Sequence, residues 1–221
     1  LASIYREKLN DEAEAIKRYQ QALELSPGNA DALNALETLF EKTASWFELI
    51  GVLDMRLEES EVLEERAHII RRLSEVYESK LDDIPSAIDA QLRLVEETEL
   101  TEVSVGVLRR LYTTSQQFAE FYTVLTEYAG TLSEPENVIP CQLELSEIAL
   151  NHLSDEMGSI GHLKTIIELD PSHSGARMGL ESLLSHDSVQ TDVAIILEPV
   201  YESLSLWADL AEVLSLRIAD Q

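Results

Sequence analysis

Ala15-Ile16-Lys17-Arg18-Tyr19-Gln20-Gln21-Ala22-Leu23-Glu24-Leu25-Ser26-Pro27 carries the spacing that decides the fold. Ala15, Tyr19, Ala22 and Leu23 fall on one stripe at the i, i+4, i+7, i+8 spacing of an α-helix. The small alanines let a neighbouring helix come close and the tyrosine ring fills the space beside them. Pro27 cannot continue the helical hydrogen bonding, so the helix stops there and a turn begins. Upstream, Ala2 and Tyr5 repeat the small-plus-aromatic pairing on a preceding helix.

Outward from this stretch the chain repeats itself. One constant shift carries Leu1, Ile4, Tyr5, Lys8, Leu9, Asp11, Ala15 and Ile16 onto Leu73, Val76, Tyr77, Lys80, Leu81, Asp83, Ala87 and Ile88 without a gap, an offset of 72 in sequence number. The same shift carries Leu36, Leu39, Phe40, Trp46, Val52 and Leu53 onto Leu108, Leu111, Tyr112, Phe118, Val124 and Leu125. Applied a second time it reaches Leu145, Ile148, Leu153, Asp155 and Ile160, and Leu169-Asp170-Pro171 answers Leu25-Ser26-Pro27 at the doubled offset of 144. Trp207, Leu210, Val213, Leu214 and Arg217 then answer Trp46, Leu49, Val52, Leu53 and Arg56 at an offset of 161. The excess over 144 is an insertion that supplies part of an extra helix.

Each repeating unit holds four helical patterns, giving about thirteen helices near 1–9, 12–25, 30–43, 46–60, 62–81, 84–97, 102–115, 118–132, 136–153, 155–169, 173–185, 190–204 and 206–219. The breaks are turn chemistry: Ser26-Pro27-Gly28-Asn29, Asp82-Asp83, Ser133-Glu134-Pro135-Glu136-Asn137 and Asp170-Pro171-Ser172 each join a helix stop to a capping residue. No strand alternation competes. Short hairpins cannot bury an apolar face one at a time, so the pattern predicts an all-α solenoid of antiparallel helix pairs stacked into a right-handed superhelix. We expect one solenoid over residues 1–221, in units near 1–61, 62–134 and 135–221. Residues 1–5 match only the second half of a first repeat helix, which suggests a piece of a longer array.

Ala2, Tyr5, Ala15, Tyr19, Ala22 and Pro27 together resemble the tetratricopeptide repeat (TPR), with one extra residue between Tyr5 and Ala15. Elsewhere the signature is worn: Gln91 stands in the aromatic position, Thr98-Glu99 in the proline turn, and Ser159-Ile160 with Leu163 only sketches the motif. The chain looks like the degenerate TPR arrays of large bacterial proteins, and related helical repeats such as the HAT type remain open as names. The resemblance implies a concave surface, lined by the first helix of each pair, that holds peptides or partner proteins.

Composition narrows the function. Forty-two Asp and Glu against sixteen Lys and Arg give a net charge of −26, which argues against a nucleic-acid ligand because phosphate binding needs clustered cations. No run of eighteen apolar residues exists to span a bilayer. No signal peptide is visible and the single cysteine, Cys141, permits no internal disulfide, so a cytoplasmic setting is expected. The five histidines show no metal-ligand spacing and read as surface or capping residues. Met157-Gly158-Ser159-Ile160-Gly161 lacks the spacing of a nucleophile elbow, and Cys141 reads as a packing residue. We expect no enzyme, cofactor or metal.

The basic residues concentrate on first helices. Helical phasing turns Arg71 and Arg110 toward the concave side, and Asn34 and Arg177 occupy related places. These four are the candidate partner-binding residues: a local cationic groove that takes an acidic or C-terminal carboxylate group through bidentate arginine contacts. The competing expectation pairs these arginines with Glu75, Glu78 or Glu102. The function expected is a non-catalytic scaffold binding a peptide or partner protein. The alternatives are self-assembly through exposed repeat ends, where Leu1, Ile4, Tyr5 and Leu210, Leu214, Ile218 would lack neighbours, and an accessory or regulatory domain of a larger protein.

Overall fold

A computed structural model describes Ala2 and residues 11–219. Tyr5 and the other sequence assignments on residues 3–10 lie outside the described residues. Among those described, twelve α-helices follow one another with no strand: α1 (Glu12–Leu25), α2 (Ala30–Lys42), α3 (Trp46–Glu59), α4 (Leu63–Leu81), α5 (Ile84–Glu97), α6 (Glu102–Ser115), α7 (Phe118–Ala129), α8 (Pro135–Asn151), α9 (Glu156–Leu169), α10 (Ser174–Leu183), α11 (Gln190–Ser203) and α12 (Trp207–Ala219). The expected boundaries hold to within about three residues. The reason is that the stops and starts are written in local chemistry.

Several helix starts are capped by side chains. Asp11, Asn29, Asp83 and Asp155 each accept a hydrogen bond from the backbone N–H three residues on, and His173 does the same with its Nδ1 for Ala176 at 3.1 Å. Each cap satisfies one of the donors a helix start leaves without an internal partner. Two kinds of helix end recur. After α1 and α9 the chain leaves through extended Ser26 and Asp170 into the proline turns. Five other turns pass through a left-handed residue: Ala44, Asp82, Gln116, Ser154 and Ser205.

At Ala44 and Ser205 the next backbone N–H reaches back five residues, Ser45 N–H to Phe40 O at 2.8 Å and Leu206 N–H to Tyr201 O at 2.9 Å, the closing bond of a Schellman turn. At Asp82 and Ser154 the reach is six residues, Asp83 N–H to Tyr77 O at 2.9 Å and Asp155 N–H to Ala149 O at 2.8 Å. Ala44 and Gln116 are related by the first sequence shift, as are Asp82 and Ser154, and Ser205 matches Ala44 at the offset of 161. The backbone therefore repeats with the sequence.

The chain divides into two compact units, Leu1–Ser115 and Gln116–Gln221. In the first, α1 to α6 pack each on the next around Ala15, Tyr19, Leu36, Phe40, Leu49, Leu53, Leu57, Ile70 and Leu73. A fully buried leucine such as Leu53 contributes about 2 kcal/mol through removal from water. In the second unit α7 to α12 pack in sequence, with α9 touching both α10 and α11. Its main core gathers Ile160, Leu163, Ile166, Leu180, Val193, Leu197, Tyr201 and Val213.

The insertion is larger than part of a helix. The offset of 161 already holds across α11, where Leu197, Glu198, Tyr201 and Glu202 answer Leu36, Glu37, Phe40 and Glu41. Helix α10 is therefore an additional short helix, set between α9 and α11. Its apolar Ala176, Leu180 and Leu183 carry the earlier offset of 144.

Candidate functional site

Helices α4, α5 and α6 enclose a groove of about 660 Å³. Its walls carry Arg71, Ser74, Glu75 and Glu78 from α4, Gln91 and Leu94 from α5, and Val103, Ser104, Val107 and Arg110 from α6. Thr98, Glu99 and Thr101 of the α5–α6 turn close one side. The turn is held by reciprocal bonds: Thr101 N–H donates to Ser104 Oγ at 2.8 Å, and Ser104 N–H donates to Thr101 Oγ1 at 3.3 Å. That exchange fixes where α6 starts and so sets Val107 and Arg110 in the groove wall.

Two of the four sequence candidates meet here. Arg110 forms an ion pair with Glu78 across the groove. Arg71 is exposed and, among the described residues, has no ion-pair partner. Most other described cations are engaged: Arg56 and Arg72 with Glu37, Arg66 with Glu97, Arg18 with Glu14, and Arg217 with Glu198. Asn34 lines a different groove, of about 790 Å³, with Arg18, Tyr19 and Ala22 of α1. Arg177 belongs to the second unit. Its Nε stands 3.2 Å from Glu181 Oε1 but is misaligned for a hydrogen bond. Glu181 Oε1 also accepts from the Tyr201 hydroxyl at 3.0 Å. Burial first, and then that carboxylate, push the Tyr201 hydroxyl far up.

The sequence does not single out Gln91 as a site residue. It is only 5% exposed, lines the groove beside Arg71, and has no hydrogen-bond partner among the described residues. A primary amide left without a partner when the space beside it is filled costs about 1–3 kcal/mol. An occupant of the groove therefore gains by bonding it. The signal lies in the repeat: Gln91 takes the place of Tyr19 one shift later, where packing alone asks for an aromatic ring.

The remaining sequence assignments fall as follows. Ser159 is buried on α9 and shares a hydrogen bond with Ser146 Oγ at 3.3 Å. Cys141 is buried, with Sγ 3.8 Å from Leu125 O. Among the described residues no three His, Cys, Asp or Glu side chains are placed to hold a metal ion, and no helix is long and apolar enough to cross a membrane. His173 is a cap, and His152 stacks on Phe118 with ring centroids 3.5 Å apart. His162 departs from the surface reading. It is half-buried, with Nε2 2.7 Å from the Tyr122 hydroxyl and Nδ1 2.6 Å from Gln142 Oε1. A proton on Nδ1 donates to Gln142 Oε1, and in the neutral ring Nε2 then accepts from the Tyr122 hydroxyl. Burial holds the His162 pKa below its ordinary value, opposed by the Asp155 charge.

No family model matches the chain and no curated protein matches it. Similar solved structures exist. The chain is similar to YrrB, a TPR protein with an unusual peptide-binding site, at 15% identity over 81% of this chain and 88% of that one, TM-score 0.40. It is similar to the TPR2AB domain of yeast Sti1, solved in complex with pHSP90, at 17% identity over 100% and 96%, TM-score 0.36. Human IFIT1, solved as a dimer with PPP-AAAA, matches at 16% identity over 100% of this chain and 54% of that one, TM-score 0.47. The chain is an all-α helical repeat protein. Its own repeated hairpins, caps and left-handed turns carry that assignment. In this helical repeat α1 packs in the core with Ala15 and Tyr19, whereas the position of Tyr19 one repeat later is the groove residue Gln91.

Proposed function

We propose that the chain is a non-catalytic protein-interaction module that holds a carboxylate-bearing peptide in the groove of α4, α5 and α6. The observation that carries the reading is Arg71, a guanidinium with no ion pair among the described residues, beside the unpartnered amide of Gln91. A carboxylate accepts bidentate bonds from one guanidinium, and the Gln91 amide adds a donor on the same ligand. Leu94, Val103 and Val107 offer the adjoining apolar surface. Glu75, Glu78 and Glu99 share the lining, so three carboxylates face two guanidiniums. That balance supports a ligand with one carboxylate and an apolar neighbour and disfavours a long acidic run, which the groove's own charges would repel.

The test is titration calorimetry with peptides of free C-terminus selected on the chain, each measured beside its amidated twin. Amidation, or Arg71→Glu with Arg110→Glu, is expected to weaken binding by about tenfold or more, as loss of a charged hydrogen-bonded pair does, with the helical circular dichroism unchanged. Equal affinity of the variant and the wild-type chain removes the reading.

A further inference from the structure

Helices α1, α2 and α3 of the first unit line a further groove, of about 630 Å³. Leu36 and Phe40 of α2 form its floor, and Leu23 of α1 with Val52 and Met55 of α3 form its apolar walls. Gly51 leaves the α3 wall open, since a Cβ added there would meet nothing within 4 Å. Met55, one turn after Gly51, is 40% exposed, and Phe47, one turn before it, is 76% exposed. Helix α4 packs on α3 and leaves this groove uncovered.

Packing of the repeat does not demand this surface. One shift of 72 turns Phe47, Gly51 and Met55 into Ala119, Thr123 and Glu127, and the offset of 161 turns them into Ala208, Glu212 and Leu216. The corresponding groove of α10, α11 and α12 is polar: Tyr201 stands in the place of Phe40, and Glu181, Asp209 and Glu212 line it. The helices pair with either lining, so the open apolar one is particular to the first copy. Its rim carries charge of one sign. Glu24 and Glu48 line the groove and no described lysine or arginine does. Neither carboxylate has an ion-pair partner among the described residues. Glu59 adds a third carboxylate at the Pro27 end, where a Cβ built on Gly28 would fall 2.5 Å from Glu59 Oε2.

We propose that this groove docks a short basic amphipathic helix of a partner protein, with its apolar stripe against Leu23, Phe40, Gly51 and Met55 and its lysine or arginine side chains facing Glu24 and Glu48. The shape and the charge of the site both select that occupant. A trench between two helices accepts a third helix through anchors at i, i+3 or i+4, and i+7. Glu48 and Met55 stand two helical turns apart, about 10 Å, which matches such a set of anchors. The bare Gly51 lets the incoming helix approach closely, and the flexible Met55 thioether conforms to what enters. Carboxylates without a cation attract a basic segment and repel an acidic one. The site shares no residue with the groove of α4, α5 and α6, and it selects the opposite charge.

The test uses a display library of short helical peptides with randomised surface positions, selected on the whole chain and counter-selected on a triple variant, Phe47→Ala with Gly51→Thr and Met55→Glu. That variant installs the residues the next copy carries at the same helical positions, so its circular dichroism is expected to match the wild type. Retained peptides are expected to carry an apolar stripe and an excess of lysine and arginine, and by fluorescence anisotropy to bind the triple variant about tenfold or more weakly. Glu24→Gln with Glu48→Gln is expected to weaken them about two- to fivefold, as loss of exposed charge pairs does, and Arg71→Glu is expected to leave them unchanged. The proposal is overturned if no peptide distinguishes the wild type from the triple variant, if the retained peptides are neutral or acidic, or if the double glutamine variant binds them equally. Concentration-dependent dimerisation that the triple variant abolishes would also overturn it, by putting a second copy in the groove.

Discussion

At the residue scale, single side chains decide where the repeat departs from its template. His162 is one such residue, held between Tyr122 and Gln142 and half-buried in the second unit. Its folded pKa lies below the ordinary 6.5, so the unfolded chain takes the proton first as pH falls. The sign follows: the native state loses stability as pH drops through about 6.5, until the folded ring also protonates. We expect the melting temperature to fall between pH 7.5 and pH 5.5 more steeply in the wild-type chain than in His162→Asn, measured by circular dichroism. Parallel profiles would assign the loss to other groups. Gln91 and His162 also show what the sequence left hidden. Gln91 is visible as a break in the pattern, but its burial depends on α4 and α6 closing around it. His162 has no signal, since the partners of a lone histidine sit on other helices, 40 and 20 residues away.

At the element scale, the turns are the recurring device. Ala44, Gln116 and Ser205 occupy the same left-handed position in successive copies, although none is glycine. A non-glycine residue there costs about 1 kcal/mol or more because Cβ crowds the following carbonyl. At Ala44 the Schellman bond and the packing of the two joined helices hold it in place. Ala44→Gly is expected to raise stability by about 0.5–1 kcal/mol, the relief of strain less the added freedom of glycine in the unfolded chain, read from urea denaturation. A decrease would mean that the alanine methyl packs in a way its exposure conceals. The helices themselves are legible from the sequence because capping, proline stops and the helical period are local. The added helix α10 is only half legible: its apolar spacing continues the offset of 144, and only α11, recurring with its Glu198–Arg217 pair, shows which helix is the insertion.

At the scale of the whole molecule, charge dominates. With forty-two acids against sixteen bases, the excess carboxylates repel one another more in the compact state than in the unfolded chain, and salt screens that repulsion beyond about 10 Å at 0.1 M. We expect the melting temperature to rise between 0.02 and 0.3 M sodium chloride. A fall would show that the ion pairs, above all Glu37 with Arg56 and Arg72, outweigh the net repulsion. The sequence by itself determined that the chain is helical, that its helices pair, and that the pairs repeat, because each rests on contacts a few residues long multiplied by an internal period. Only the tertiary structure decided which charges are satisfied. Arg71 and Arg110 read alike in the sequence, yet Arg110 pairs with Glu78 and Arg71 with no described carboxylate. Glu37 and Glu198 are equivalent in sequence, yet one carries two arginines and the other one. The pairs at Glu37 join side chains 19 and 35 residues apart, and a helical repeat sets those distances through packing rather than through spacing along the chain.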